Sequence, residues 1–232
     1  MDRIIAIDPG NIESAYVLMD ADTYKPVEFD KVKNEDVKVF LKETIAKEMA
    51  NGNNIDVAIE MIGHYGSGMP AGKPVFDTCV WIGRFEEVIS TMPGVSTTRI
   101  MRAEEKLNLC GQPRARDTNI IQALIDRFAP DVPNRGKGSK KEQGFFYGFR
   151  ADIWQAFAVG VTYLDLYKNN EEREEKNMEY TEAITDMLNT CKNVLVNKHK
   201  EYATHEDDFH NFNSAAVLQN VTPEKALNWN DG

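Results

Sequence analysis

A short apolar strand, Ile4-Ile5-Ala6-Ile7, runs directly into Asp8-Pro9-Gly10. An apolar run of this length that ends in an acid and a turn reads as a buried strand with a carboxylate at its tip. The segment Ser14–Asp20 returns from that turn as a second strand, and a third lies near 26–30. The opening of the chain is therefore a β-meander. A second apolar run, Val57-Ala58-Ile59, ends in Glu60, and a third acid, Asp152, opens the apolar helix Ile153–Val159. Each of the three acids stands at the end of a buried element.

The rest of the chain alternates. Asn34 reads as an N-cap for a helix with Val37, Phe40, Leu41, Ile45 and Met49 at helical spacing, stopping near Gly52. The strand Ile55–Glu60 leads into a glycine-rich loop, Gly63 to Gly72, and then a helix from Pro74 to Ser90. A strand from Val95 to Ile100 follows. Helices come next near 103–109, ending at Gly111, and from Arg116 to Phe128. The Pro-, Gly- and Lys-rich segment 130–144 reads as a mobile loop, and a helix from Arg150 to Tyr167 closes the unit. This order predicts an α/β fold, a mixed β-sheet with helices on its faces. Trp81, Phe85, Trp154, Phe157 and Tyr163 fall at helical spacings and read as core. Residues 1–168 form one domain, 169–178 a charged linker, and 179–232 a helical, incomplete appendage with one helix from Tyr180 to Tyr202.

Strand tips deliver side chains to the rim of a sheet, where open α/β folds place their sites. Asp8 and Glu60 meet there if their strands are neighbours, and Asp152 reaches the same point from a helix packed on the sheet. Hard oxygen ligands suit Mg²⁺ or Mn²⁺. Two such ions about 3.5–4 Å apart suit phosphodiester hydrolysis. Each acid alone has a plainer reading: Asp8 as a turn residue, Glu60 as a solvated strand end, Asp152 as a first-turn acid favoured by the helix dipole. The joint placement is what points to chemistry.

Charge is unevenly spread. The chain carries a net −10, of which 169–232 hold −7 and 1–168 hold −3, while 99–150 carry +5. An acidic protein with one basic stretch is still able to bind a polyanion through that face. Cys79, Cys110 and Cys191 are odd in number and widely spaced, which fits reduced thiols better than a disulfide framework. No apolar run approaches the length of a membrane span, and the N-terminus lacks the pattern of a signal peptide. A cytoplasmic location is expected.

The segment Ile-Ala-Ile-Asp-Pro-Gly-Asn-x-x-Ser-Ala-Tyr-Val-Leu resembles the opening motif of RuvC-like Holliday junction resolvases, of the RNase H-like superfamily. Val-Ala-Ile-Glu resembles their second acidic motif, and Arg-Ala-Asp-Ile-Trp-Gln-Ala-Phe-Ala-Val-Gly-Val their C-terminal helix. The stretch from Gly68 to Phe85 looks like the phage-type branch, and the resemblance spans residues 3–167. It implies an RNase H-like sheet with helices on both faces and an Mg²⁺- or Mn²⁺-dependent endonuclease cutting branched DNA. It also implies a homodimer, and the host cytoplasm if the chain is phage-encoded. Asp8, Glu60 and Asp152 are the implied catalytic metal ligands. The family pattern places a second acid three residues after Asp152; this chain has Gln155, which is left to contact an ion through water. A catalytically weak junction-binding protein is the alternative.

In the family the loop after the second acid meets DNA. His64 and Tyr65 are then candidates to stack on a base, and Lys73 to touch phosphate. Arg114 and Arg116 at a helix start, and Lys137, Lys140 and Lys141, are further candidate backbone contacts. For each of these a solvated surface charge is the plainer reading. An actin-like ATPase or sugar kinase would need a second glycine-rich phosphate loop of the Asp-x-Gly-Gly kind, which this chain lacks. His199, His205 and His210 lie among acids in a tail that weakly resembles a MazG-like helical module, with spacing that matches no closed zinc site.

Overall fold

The computed structural model describes residues 2–63 and 72–168. His64 and Tyr65, the linker and the appendage with its histidines all lie outside the described residues.

Five strands form one mixed sheet: β1 (Asp2–Asp8), β2 (Glu13–Asp20), β3 (Pro26–Lys33), β4 (Asn54–Met61) and β5 (Thr97–Met101). Their order is β3-β2-β1-β4-β5. The first three run antiparallel as a meander, and β4 and β5 add in parallel beside β1. Parallel neighbours need crossovers, and helices supply them: α1 (Asn34–Ala50) between β3 and β4, and α2 (Lys73–Ser90) between β4 and β5. Then follow α3 (Arg102–Cys110), α4 (Asp117–Phe128) and α5 (Ile153–Tyr163), the last continued by a π-helical turn, Leu164–Lys168. This is a mixed sheet with helices on both faces, as the order of elements in the sequence predicts. Among the described residues no helix is long and apolar enough to cross a membrane.

Alternation along the strands separates two cores. Ile5, Ile7, Tyr16, Leu18, Val57 and Ile59 face α1 and α2. Ile4, Ala6, Val17, Met19, Ala58 and Ile100 face α4 and α5. The central helix α5 is apolar almost all round because it lies in the middle of this second core. It sits close to the sheet: a Cβ on Gly160 would come 2.4 Å from Met19 Sδ and 3.0 Å from Ala6 Cβ. Phe85, Trp154, Phe157 and Tyr163 are buried as expected.

Two local expectations change. Asn34 does not cap α1 by bonding to its backbone; it is the first residue of the helix and is buried, with its side chain turned toward the β1–β2 turn. The segment 130–144 is not an open loop but a run of close turns. Its Gly136 lies where a Cβ would be 2.7 Å from the Phe146 ring, and Gly138 pairs with Gln143 in an isolated bridge. Glycines at positive φ let the backbone fold back on itself there.

The far end of α5 is fastened by Asp165. Its carboxylate accepts hydrogen bonds from Tyr24 Oη (2.9 Å), Asn108 Nδ2 (2.9 Å) and both Arg127 terminal nitrogens (2.6 and 2.9 Å). The Arg127 guanidinium also stacks on Tyr24 and Phe128. Burial opposes the charge, but the bonds from Arg127, Asn108 and Tyr24 hold the carboxyl below its ordinary 3.8. A depressed folded-state pKa stabilises the fold above the unfolded value, and the contribution is lost as pH falls through the folded value. Asp165→Asn should therefore cost about 1–2 kcal/mol at pH 7, discounted because Arg127 is partly exposed. The difference from wild type should shrink as pH drops below about 4. Thermal melts of both proteins from pH 7 to pH 3 read this directly, and a constant difference would contradict it.

Candidate acidic centre

The parallel register of β1 and β4 sets Ile7 beside Ile59, so Asp8 and Glu60 are the next neighbours along the pair. Both follow the parity of Ala6 and Ala58, so both face α5. Asp152 stands at the N-terminal boundary of α5, and Gln155 follows within its first turn. The fold thus brings Asp8, Glu60, Asp152 and Gln155 to one rim of one sheet face.

Asp8 and Glu60 are hydrogen-bond partners at the two strand tips. Burial, the Glu60 charge and hydrogen bond, and the Asp152 charge push the Asp8 carboxyl well above the usual carboxylate range, against the pull of Arg102. Burial also raises Glu60, again against Arg102. Each carboxyl disfavours the ionised form of the other, and a nearby cation such as Arg102 opposes that effect.

The turn that presents Asp8 is held from behind. Ser14 Oγ accepts a hydrogen bond from the Gly10 N–H (3.0 Å) and donates to Asn34 Oδ1 (2.6 Å), while Asn34 Nδ2 donates to the Gly10 carbonyl (2.9 Å). Ser14 and Asn34 are both buried. Gly10 is required by space: a Cβ there would lie 2.2 Å from the Glu13 carbonyl oxygen.

Three charged residues that the sequence reading did not single out complete the centre. Lys31 of β3 lies in the same cross-strand row as Asp8, with the small Ala15 between them. Its ammonium reaches Asp152 Oδ2 at 2.5 Å, and this bond raises the Lys31 pKa. Arg102, the first residue of α3, lies among three acids. Its Nη1 is 2.8 Å from Glu105 and 3.6 Å from Glu60, and its Nη2 is 2.6 Å from Asp117. Burial works against its charge, but Glu105, Glu60 and Asp117 hold it protonated. Glu105 is completely buried. Burial, with the charges of Glu60 and Asp8, pushes its carboxyl up to about 9; Arg102 opposes this without cancelling it.

Among the described residues no group of three or more His, Cys, Asp or Glu side chains is set as a ready metal-holding group. Lys31 and Arg102 hold the acids instead. Two oxygens nevertheless lack a donor: Glu105 Oε1 and Gln155 Oε1 are buried with no hydrogen-bond partner. As the side chains stand, Lys31 and Arg102, and not an ion, neutralise these acids.

Of the basic candidates, Lys73 is exposed and pairs with Asp77 on its own helix. Arg114, Arg116, Lys140 and Lys141 are exposed, Lys137 is half-buried, and none of the five forms an ion pair among the described residues. Other bases in the positive stretch are committed: Arg99 to Glu86, Arg127 to Asp165 and Arg150 to Asp30.

No protein-family model matches the chain, and no curated protein matches it. Among solved structures it is similar to RuvC of Thermus thermophilus, at 13% identity and a TM-score of 0.48, over 69% of this chain and 92% of that one. It is also similar to the T. thermophilus RuvC in complex with Holliday junction substrate, at 12% identity and a TM-score of 0.48, over 70% and 92%.

Proposed function

We propose that this chain is a divalent-metal-dependent endonuclease that hydrolyses phosphodiester bonds in branched DNA, four-way junctions above all. The observation that carries the reading is the meeting of Asp8 and Glu60 at adjacent tips of parallel strands, with Asp152 brought to the same rim by α5. The sequence motifs around these three acids support it. Asp8, Glu60 and Asp152 would hold Mg²⁺ or Mn²⁺, with Gln155 beside them. Such an ion supplies an activated water and neutralises charge on the phosphate oxygens. The protein's own part is to fix the carboxylates through the sheet register, to seat the Asp8 turn on Ser14 and Asn34, and to release Lys31 and Arg102.

Arg114, Arg116, Lys140 and Lys141, uncommitted to any acid among the described residues, are the natural phosphate contacts, joined by Lys73 and Lys137. His64 and Tyr65 belong to the segment after the second acid and would meet bases at the branch. A homodimer would present two such sites to a twofold-symmetric junction. The 169–178 linker and the 179–232 appendage are given no part in this chemistry, and the cytoplasm is the compartment where it would act.

A second reading, a junction-binding protein that cuts weakly, is favoured by one observation: Arg102 already sits against Glu60 and Glu105 where a cation would be needed. One experiment separates the two. A four-way junction, a flap and a linear duplex are incubated with the full chain in Mg²⁺, in Mn²⁺ and in chelator. The nuclease reading expects metal-dependent cutting of the branched substrates only. Junction binding with no cutting in either metal would replace it with the second reading. In the same material, four phosphate contacts predict a log–log salt slope of about −3.6. That is roughly a hundredfold loss of affinity between about 50 and 200 mM salt. A flat response would remove the basic face from the proposal.

A further inference from the structure

We propose that the outer face of α2 is a self-complementary docking face for a second copy of this chain, two α2 helices meeting antiparallel about a twofold axis at Val80. This gives the homodimer of the nuclease reading its contact surface, and it rests on that reading only for the use to which the dimer is put.

One side of α2 is buried: Thr78, Ile82, Phe85, Val88 and Ile89. On the opposite side Phe76 and Val80, one turn apart, are 61% and 54% exposed. A single exposed apolar side chain is ordinary, but a phenylalanine and a valine on the outer face of one helix form a patch. Gly83 lies on the same side, well inside this 18-residue helix. Glycine weakens a helix interior. Its φ is not positive and a Cβ there would meet nothing within 4 Å, so nothing among the described residues requires it. What a glycine provides at such a point is close approach of another surface to the helix backbone.

Helical geometry arranges the rest of the face. Phe76 and Gly83 fall to one side of the line through Val80, and Asp77 and Arg84 to the other. A twofold axis at Val80, lying across the helix, keeps these sides and reverses the chain direction. Each residue then meets its complement: Phe76 lies over the partner's Gly83, Asp77 faces the partner's Arg84, and Val80 faces its own copy. Parallel pairing would instead set Asp77 against Phe76 and Glu87 against Glu87. Arg84 is open to this role, since it stacks over Trp81 at 4.6 Å and forms no ion pair among the described residues. Size and charge thus match under one symmetry operation, which is the condition for an isologous contact. A single helix pair is a small contact, so the association is weak and depends on concentration.

The test is sedimentation equilibrium of the full-length chain, without DNA or metal, over a range of concentrations. Wild type should move from monomer to dimer mass as concentration rises. Val80→Glu sets like charges face to face at the axis and should weaken association by about a hundredfold or more. Gly83→Gln should weaken it by about tenfold or more, while the melting temperature of the dilute protein stays level or rises, because glutamine is the better helix former. Asp77→Arg and Arg84→Asp should each be monomeric, since each places like charges across both contacts. Mixing these two variants restores opposite charges at both contacts and should restore the dimer. A dimer as strong in Val80→Glu and Gly83→Gln as in wild type would overturn the α2 face. A wild type that stays monomeric throughout would overturn the dimer with it. Neither result bears on the nuclease reading, which stands or falls on metal-dependent cutting.

Discussion

Asp8→Asn should reduce junction cleavage in Mg²⁺ by on the order of 10³-fold while the folded protein and its junction affinity survive. Asp8 is buried beside Glu60 and within the field of Asp152; burial first, then these charges, push its carboxyl well up. An asparagine amide has the same shape and donates to Glu60, so the hydrogen bond that seats Glu60 is kept. What is lost is an anionic oxygen at the point where two strand tips converge. The melting temperature should stay level or rise, because a buried group that resists ionisation has been replaced by one that cannot ionise. Affinity for DNA should hold or improve, since one negative charge facing the phosphates is gone. Single-turnover cleavage and a binding titration on the same protein separate these effects. Cleavage at the wild-type rate would remove Asp8 from the chemistry, and loss of binding in step with cleavage would indicate a folding defect.

Phe146→Ala should be the most damaging substitution away from the acids, at about 3–5 kcal/mol. Phe146 is wholly buried. Its ring lies 4.9 Å from Phe145, 5.1 Å from Phe149, 4.6 Å from Trp154 and 5.6 Å from Phe157, mostly edge-to-face. Asp152 lies in the chain between Phe149 and Trp154, two members of this cluster. The rings therefore fix the first turn of α5, and with it the third acid, while Gly136 closes over the far side of Phe146. The variant should unfold at lower urea and cut more slowly, and added Mg²⁺ should restore the rate only in part, because the carboxylate itself has lost its support. A penalty under about 1 kcal/mol would mean that the cluster repacks and does not brace the site.

The sheet and its helices were legible because they depend on local pattern. Ile4 to Ile7 and Val57 to Ile59 are apolar without interruption since both strands are covered on both faces. Strand parity then carried Asp8 and Glu60 with them. Glu105 was not legible for the opposite reason. It stands next to Glu104 in the first turn of α3, where acids favour the helix dipole and ordinarily face water. Only the packing of α3 on α5 decides that one of the two is buried. Lys31 depends on the β2–β3 register, and a lysine on an edge strand reads as a solubility device before it reads as a partner for a distant helix. Ser14 and Asn34 form their clamp across 20 residues of sequence, while Asn34 taken locally reads as a cap. The 130–144 segment misled because glycine, proline and lysine mark turns equally well whether the turns are open or packed on a core.

The shared parity of Asp8 and Glu60 with Ala6 and Ala58 has an evolutionary consequence. Inserting or deleting one residue in β1 or β4 cannot shift either acid sideways, because it would turn the whole strand over and expose its apolar row. Those two carboxylates are locked to the core that surrounds them and change only by outright replacement. The helices are under no such lock: a turn added to or removed from α3 slides its side chains past the rim while the sheet stays intact. Drift in a centre built this way should concentrate on its helical members, with an acid free to migrate from one helix to another while the strand pair stays put.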